Sequence, residues 1–340
     1  MSARSLAIVG ASGAVGQEFL AVLAARRFPI RSLKLFGSAR SVGQRVGFAG
    51  ESIPIEALAP GAFRGVDVAL FSAGGAVSRQ WGPIAVADGA IVVDNSSAFR
   101  LDPAVPLVVP EVNAEALAGH RGLIANPNCS TILLVLALCP LHRAAGLRSV
   151  VVSTYQAASG AGMQAMLELR SSLQATLAGE PPPPPRALPQ PLAFNVFPQV
   201  DVFQADGYTK EEDKLLFETR KILGLPALPV DATCVRVPVL RCHSESVAVE
   251  LERPLEVAAA RALLATAPGL ELVDDPAQQR YPMPLAQAGR DAVAVGRLRA
   301  GRVLTNGLTF WLAGDQLRKG AALNAVQIAE QLVAPSATGR

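Results

Sequence analysis

The chain opens with a short apolar run, Leu6-Ala7-Ile8-Val9, and passes at once into Gly10, Gly13 and Gly16 at three-residue spacing. No other feature constrains the fold as strongly. A buried strand must hand the chain to a helix through a turn too tight for side chains. Such a turn brings backbone N–H groups at a helix start close to negative charge, the arrangement that dinucleotide pyrophosphates exploit. Three glycines can also serve a purely structural turn. Their position directly after the first strand favours the nucleotide reading.

Further continuous apolar runs follow at residues 33–36, 66–71, 90–93 and 122–125, with helical patterns between them, the first over 16–25. Strands that are apolar on both faces and alternate with helices belong to a parallel sheet covered on both sides. The texture changes after Asn128. A helix is predicted over 130–138, ended by Pro140 because proline cannot donate the next helical bond. A strand over 149–155 and a helix over 160–177 come next. The prolines from Pro181 to Pro185, and on to Pro191, read as a stiff exposed loop. A helix over 210–223, strands over 233–239, 246–251 and 292–298, and a last helix over 317–332 complete the pattern.

At 340 residues the chain exceeds one ordinary core and calls for two domains. The expected division is an α/β Rossmann-type domain with a parallel sheet over 1–127 and 307–340, completed by the C-terminal helix. The second, α+β domain spans 128–306 and carries a mixed sheet. Charge excludes some functions: 31 Lys+Arg against 28 Asp+Glu, without runs, leaves no nucleic-acid footprint. No apolar stretch reaches the roughly 18 residues that would suggest a membrane span. The N-terminal apolar run is too short for a signal peptide, so a cytoplasmic protein is expected. The cysteines are Cys129, Cys139, Cys234 and Cys242, with neither zinc-ligand spacing nor a disulfide framework, so free thiols and no metal are expected.

Two stretches carry chemistry. The second strand ends in Phe36, followed by Gly37-Ser38-Ala39-Arg40-Ser41. An NAD enzyme usually has an acid here for the ribose hydroxyls. Arg40 and its flanking serines suit the 2′-phosphate of NADP instead, although a solvated arginine in a loop would look the same. The second stretch, Asn126-Pro127-Asn128-Cys129-Ser130-Thr131, precedes an apolar helix. The N–H groups and dipole of a helix start favour a thiolate, which makes Cys129 the candidate nucleophile. Cys139, inside the apolar helix, reads as structural. A thiol nucleophile needs a proton acceptor. Among three histidines, His120 and His142 lie in polar stretches expected at the surface, and His243 stands between two strands. Elimination points to His243, with a structural histidine as the other reading.

The stretch Asn126 to Thr131, taken with Gly10 to Gly16, Asn95-Ser96-Ser97-Ala98-Phe99-Arg100, Tyr155 to Gly162, Gly207 to Glu212, Arg236-Val237-Pro238-Val239, His243-Ser244-Glu245 and Arg318 to Glu330, resembles the aspartate-β-semialdehyde dehydrogenase family in order from Ile8 to Glu330. The resemblance implies NADPH-dependent reduction of aspartyl-4-phosphate to aspartate semialdehyde and phosphate, within lysine, threonine and methionine biosynthesis. It implies Cys129 as thioester nucleophile, His243 as acid/base and Gln156 as the group that orients the intermediate. Arg236 would hold the substrate carboxylate and Glu211 its amino group, with Asn128 also at the substrate. Arg100 and Lys214 would bind phosphate. Gly10, Ser12, Gly13, Ala14, Val15, Arg40, Ser41, Ser159, Gly160 and Gln316 would contact NADP. It further implies a homodimer or homotetramer formed through the second domain. The family usually has Asn where this chain has Gln316, and the proline run at Pro181 looks like a local insertion. Two alternatives stand beside this reading. One is an N-acetylglutamyl-phosphate reductase, whose family usually has Gly-Cys where this chain has Asn128-Cys129. The other is a non-catalytic paralogue acting as a binding subunit.

Overall fold

The computed structural model describes residues 3–333. The described residues divide into two compact units, 3–128 with 321–333, and 129–320. Residues 334–340, which the sequence reading assigns to the first domain, lie outside the described residues.

The first unit is built on β1 (Arg4–Val9), β2 (Ile30–Phe36), β3 (Arg45–Phe48), β4 (Glu51–Glu56), β5 (Val68–Phe71), β6 (Ile91–Asp94) and β7 (Leu123–Ala125). They form one sheet in the order β3-β4-β2-β1-β5-β6-β7. Every pairing is parallel except the β3–β4 hairpin. The period of two along each strand sorts the core. Leu6, Ile8, Leu35, Val68, Leu70 and Val93 pack in one cluster with residues of the helices Ala14–Ala25 and Leu323–Val333. Ala7, Val9, Phe36, Ala69, Phe71 and Val92 pack in another with Ala85 of the helix Gly75–Ala87. Apolar residues on both faces are what make the strands read as continuous hydrophobic runs. The β3–β4 hairpin, half exposed at the sheet edge, has no such run and escapes the sequence reading.

The second unit contains β8 (Leu147–Gln156), β9 (Val230–Arg236), β10 (His243–Leu251), β11 (Leu270–Leu272), β12 (Val293–Ala300) and β13 (Leu308–Gly314), in the order β11-β12-β13-β10-β8-β9. The sheet is mixed: β8–β9 and β11–β12 are parallel and the other pairs antiparallel. Here the expected boundary is corrected. Residues 307–320 belong to the second unit, because β13 is an interior strand hydrogen-bonded to both β10 and β12.

Two helix ends are also corrected. The helix after Asn128 runs Cys129–Ala145 and passes through Pro140. A proline inside a helix costs about 3 kcal/mol. Leu133, Leu134, Leu136, Leu138 and Leu141 are all buried along it, and each contributes roughly 1.5–3 kcal/mol by burial. Packing therefore outweighs the missing N–H. The last helix is interrupted at its start: residues Arg318–Ala322 form a π-helical turn before the α-helix Leu323–Val333. The helix Lys210–Leu223 forms as its sequence dictates. Thr209 and Glu212 make a reciprocal capping box, Glu211, Glu212 and Asp213 lie in the first turn, and left-handed Gly224 ends it. The proline run from Pro181 has no regular structure.

Candidate active site

In the first unit the glycine turn is built as the sequence requires. Gly10 has φ +93°, and a Cβ there would stand 2.3 Å from the Ser72 carbonyl oxygen. A Cβ on Gly16 would stand 2.2 Å from the Gly10 oxygen, so the helix can pack this close only on glycine. Gly13 is the N-cap of the helix Ala14–Ala25, and no side chain caps that helix start. Its first-turn N–H groups are thus not taken by a side-chain cap, which suits them to an anionic group. Ser12 and Ser41 meet hydroxyl to hydroxyl at 2.8 Å, which joins the glycine turn to the loop after β2. Arg40 in that loop is exposed. These residues fit a dinucleotide with a charged group on its ribose.

The Asn95–Arg100 loop is organised by a residue the sequence reading does not single out. Asp94, fully buried at the end of β6, accepts from Ser78 Oγ (2.6 Å), Ser96 N–H (3.0 Å) and Ser96 Oγ (2.7 Å). An acid at the carboxyl end of a parallel strand was the available signal. Arg100 is buried, with Nε on the Asn126 carbonyl (3.0 Å) and Nη2 on the Asn95 carbonyl (2.7 Å). Asn128, also buried, ends this part of the unit.

The second unit brings Gln156, Glu211, Lys214, Arg236 and His243 together, with Cys129 beside them. Cys129 is the first residue of its helix and the one cysteine that is not buried. Gln156 and Arg236 are cross-strand neighbours at the ends of β8 and β9. Gln156 Nε2 donates to Glu211 Oε1 (3.1 Å) and Thr154 Oγ1 (3.3 Å). Lys214 Nζ bridges Glu211 (3.0 Å) and Asp201 (2.7 Å), and no pattern in the sequence anticipates Asp201. Arg236 Nη1 donates to the Ala157 carbonyl (2.7 Å), while its Nε is buried without a protein partner. Burial lowers the Arg236 pKa, against the opposing negative charge of Glu211 and Cys129.

His243 begins β10 rather than standing between strands, and it is fully buried. Its Nδ1 accepts from the Ala157 N–H (3.1 Å), and Nε2 has no protein partner. Burial, then the Arg236 charge, holds its pKa down to about 3, against the pull of Glu211. The other histidines are half-buried rather than superficial, and each takes a local backbone N–H on Nδ1, from Gly122 to His120 (3.1 Å) and from Leu147 to His142 (3.2 Å). Gly160 lies against the site: a Cβ on it would be 2.9 Å from both Arg236 Nη1 and His243 Cε1. Gln316 Nε2 donates to Ser159 Oγ, and Gln316 Oε1 accepts the Cys242 N–H (2.8 Å). The longer Gln therefore spans from one loop to the other. Gly320 keeps Cys129 clear, since a Cβ there would stand 3.1 Å from the Cys129 Cβ.

The remaining thiols are unsuited to nucleophilic work. Burial raises the pKa of Cys234 well above the usual range, with Glu211 adding to it. Burial and Asp315 push Cys242 up to about 12, against the nearby Arg241. Among the described residues, no group of three or more His, Cys, Asp or Glu is placed to hold a metal ion. None of the described helices is long and apolar enough to cross a membrane.

This pairing of a nucleotide-binding unit with a unit bearing a cysteine at a helix start is that of a semialdehyde dehydrogenase. Residues 5–120 match the family model for the semialdehyde dehydrogenase NAD binding domain, and residues 138–319 match that for the semialdehyde dehydrogenase dimerisation domain. The aspartate-semialdehyde dehydrogenase of Aquifex aeolicus is 51% identical over 331 residues, covering 96% of this chain and 97% of that one. That of Bacillus subtilis is 50% identical over 335 residues, with 96% of each chain covered. The crystal structure of aspartate semialdehyde dehydrogenase II from Vibrio cholerae, complexed with ASA, superposes with a TM-score of 0.96 at 42% identity, over 99% of this chain and 100% of that one. The chain belongs to the aspartate-semialdehyde dehydrogenase family.

Proposed function

We propose that this chain reduces aspartyl-4-phosphate to aspartate β-semialdehyde and phosphate with NADPH, through a thioester on Cys129, in the biosynthesis of lysine, threonine and methionine. The observation that carries the reading is the convergence of Arg236, Glu211, Gln156 and His243 in the unit that begins with Cys129. Each group has a task that its chemistry suits. The Cys129 sulfur, at a helix start that favours negative charge, attacks the acyl carbon, and phosphate leaves with the electron pair of the broken C–O bond. The planar fork of Arg236 suits the substrate carboxylate, and the Glu211 carboxylate suits a free ammonium rather than an acetylated amine. Gln156, held by Glu211 and Thr154, orients the acyl group. Arg100, Lys214 and Asn128 receive the phosphoryl end.

Gly10, Ser12, Gly13, Ala14 and Val15 would hold the pyrophosphate of NADP, with Arg40 and Ser41 at its 2′-phosphate, and Ser159, Gly160 and Gln316 would meet its nicotinamide end. Hydride transfer to the thioester is the chemistry that this nucleotide supplies when bound. The dimerisation-domain match supports a homodimer or a tetramer built from it.

Phosphate-dependent reduction of NADP by aspartate semialdehyde tests the activity. Cys129→Ala is expected to abolish turnover while NADP still binds. Alkylation is expected to be much faster at Cys129 than at Cys139 or Cys234, because the thiolate fraction sets the rate. Substantial turnover by Cys129→Ala would sink the mechanism.

A further inference from the structure

In the second unit one ammonium stands between two carboxylates. Lys214 Nζ donates to Glu211 Oε2 at 3.0 Å and to Asp201 Oδ2 at 2.7 Å. An ammonium has three N–H donors but a single charge. Two of the donors are taken, and two negative charges face the one positive charge. Burial lowers the Lys214 pKa, but Glu211 and Asp201 together outweigh it and hold it above its ordinary value. The ammonium therefore stays protonated.

The two carboxylates are held in different ways. Glu211 is buried, and its other oxygen accepts from Gln156 Nε2 at 3.1 Å. Asp201 lies in the irregular segment ahead of the helix Lys210–Leu223, and its side chain is 33% exposed. Its backbone is anchored. Asp201 has φ +68°, a left-handed conformation that aspartate tolerates better than most residues. Its Oδ1 accepts the Val202 N–H (2.9 Å), and the Val202 carbonyl accepts the Lys210 N–H (3.0 Å). Gln204 Nε2 donates to Asp213 on the same helix (2.7 Å). The segment is thus tied to the helix that carries Lys214, which aims the Asp201 carboxylate at the ammonium. A turn of that one side chain releases the ion pair into water without moving the backbone.

We infer that Asp201 is an internal stand-in for the phosphoryl group: its carboxylate occupies Lys214 while phosphate is absent, yields the ammonium when phosphate binds, and so keeps the affinity for phosphate low. The inference rests on the proposed place of Lys214 at the phosphoryl end of the substrate. On that reading the charge of Glu211 is balanced by the substrate ammonium. The charge of Lys214 then serves the phosphoryl oxygens only as far as Asp201 gives it up. Two anionic oxygens on tetrahedrally arranged N–H groups of one ammonium stand roughly 4.5–5 Å apart. At that distance a partly exposed site screens their repulsion incompletely. In the reductive direction phosphate is the product that leaves, and the waiting carboxylate replaces it on the ammonium. Only ion pairs are exchanged, and no proton moves.

Asp201→Asn tests the inference. It keeps the shape of the side chain and the acceptor for the Val202 N–H, and removes the charge. Inorganic phosphate is titrated into full-length protein and followed by phosphorus-31 NMR, and initial rates of phosphate-dependent NADP reduction are measured with phosphate varied. The Kd and the KM for phosphate are expected to fall roughly 3- to 10-fold at low ionic strength, and less in high salt, with the KM for NADP unchanged. A loosened site would bind phosphate more weakly, so a gain in affinity marks the removal of a competitor. An unchanged or raised Kd for phosphate in Asp201→Asn overturns the inference, and Asp201→Ser takes its place if thermal melts show the first variant unfolded. The gain is expected to vanish when Lys214→Met is combined with Asp201→Asn; a gain that persists without the ammonium also overturns it. Inactivity of the native protein toward aspartate semialdehyde would count against the proposed function instead. The phosphate titration needs no turnover and would still decide the role of Asp201.

Discussion

Replacing Gly160 by alanine tests whether Arg236 and His243 form the reaction site. The new methyl would lie 2.9 Å from Arg236 Nη1, 2.9 Å from His243 Cε1 and 3.1 Å from His243 Nε2. Ordinary contact begins at 3.4 Å, so something must shift by at least 3.4 − 2.9 = 0.5 Å. Neither neighbour yields cheaply. Both are buried and both are bonded to the Ala157 peptide. Gly160 is outside the left-handed region, so alanine suits its backbone. Misplacement by 1 Å at a reacting centre costs on the order of 10²-fold, so half that shift should lower kcat/KM about tenfold or more. That corresponds to roughly 1.4 kcal/mol or more of lost transition-state stabilisation. Initial rates of phosphate-dependent NADP reduction, with aspartate semialdehyde and NADP varied in turn, measure it. Thermal melts show that the fold persists. Gly119→Ala is the control, since Gly119 is exposed with nothing within 4 Å of its added Cβ and an unexceptional backbone. Native kcat/KM in Gly160→Ala would refute the placement of the reaction against Arg236 and His243.

Other consequences follow from the same geometry. The folded-state pKa of His243 is about 3, below its ordinary 6.5. The stability gained by keeping the ring neutral is thus complete above pH 6.5 and is lost as pH falls toward 3. Between about pH 7 and about pH 5, denaturant unfolding is expected to show the native protein losing about 2 kcal/mol more than His243→Asn; parallel acid profiles would contradict this. Glu211→Gln leaves Lys214, and on the proposed reading the substrate ammonium, without a buried anionic partner. Such a loss typically costs about 1–3 kcal/mol, so the KM for aspartate semialdehyde should rise roughly 5- to 150-fold with Cys129 alkylation little changed. Unchanged kinetics would remove Glu211 from the site. Arg40→Ala is expected to raise the KM for NADP and leave kcat nearly intact. Equal use of NAD and NADP by the native protein would refute the role of Arg40.

Much of this protein was legible in its sequence because the physics involved is local. An apolar strand followed by glycines at Gly10, Gly13 and Gly16 can only turn sharply into a helix, and Thr209 with Glu212 cap a helix wherever they stand. The parallel sheet followed from runs buried on both faces, and Cys129 from its place at the head of an apolar helix. What the sequence did not decide depended on partners distant along the chain. Pro140 remains within its helix because the leucines around it are buried by other elements, a benefit that no helical propensity records. Residues 308–314 belong to the second unit because they pair with β10 and β12, and pairing is invisible in a single strand. Asp201 reaches Lys214 only through the folded chain, as the Ala157 peptide reaches His243 and Arg236. The sequence names a candidate nucleophile and the cationic and acidic groups that could serve it. Only tertiary structure sets the proton on His243, because a tautomer is decided by the direction of one backbone N–H that arrives from 86 residues away.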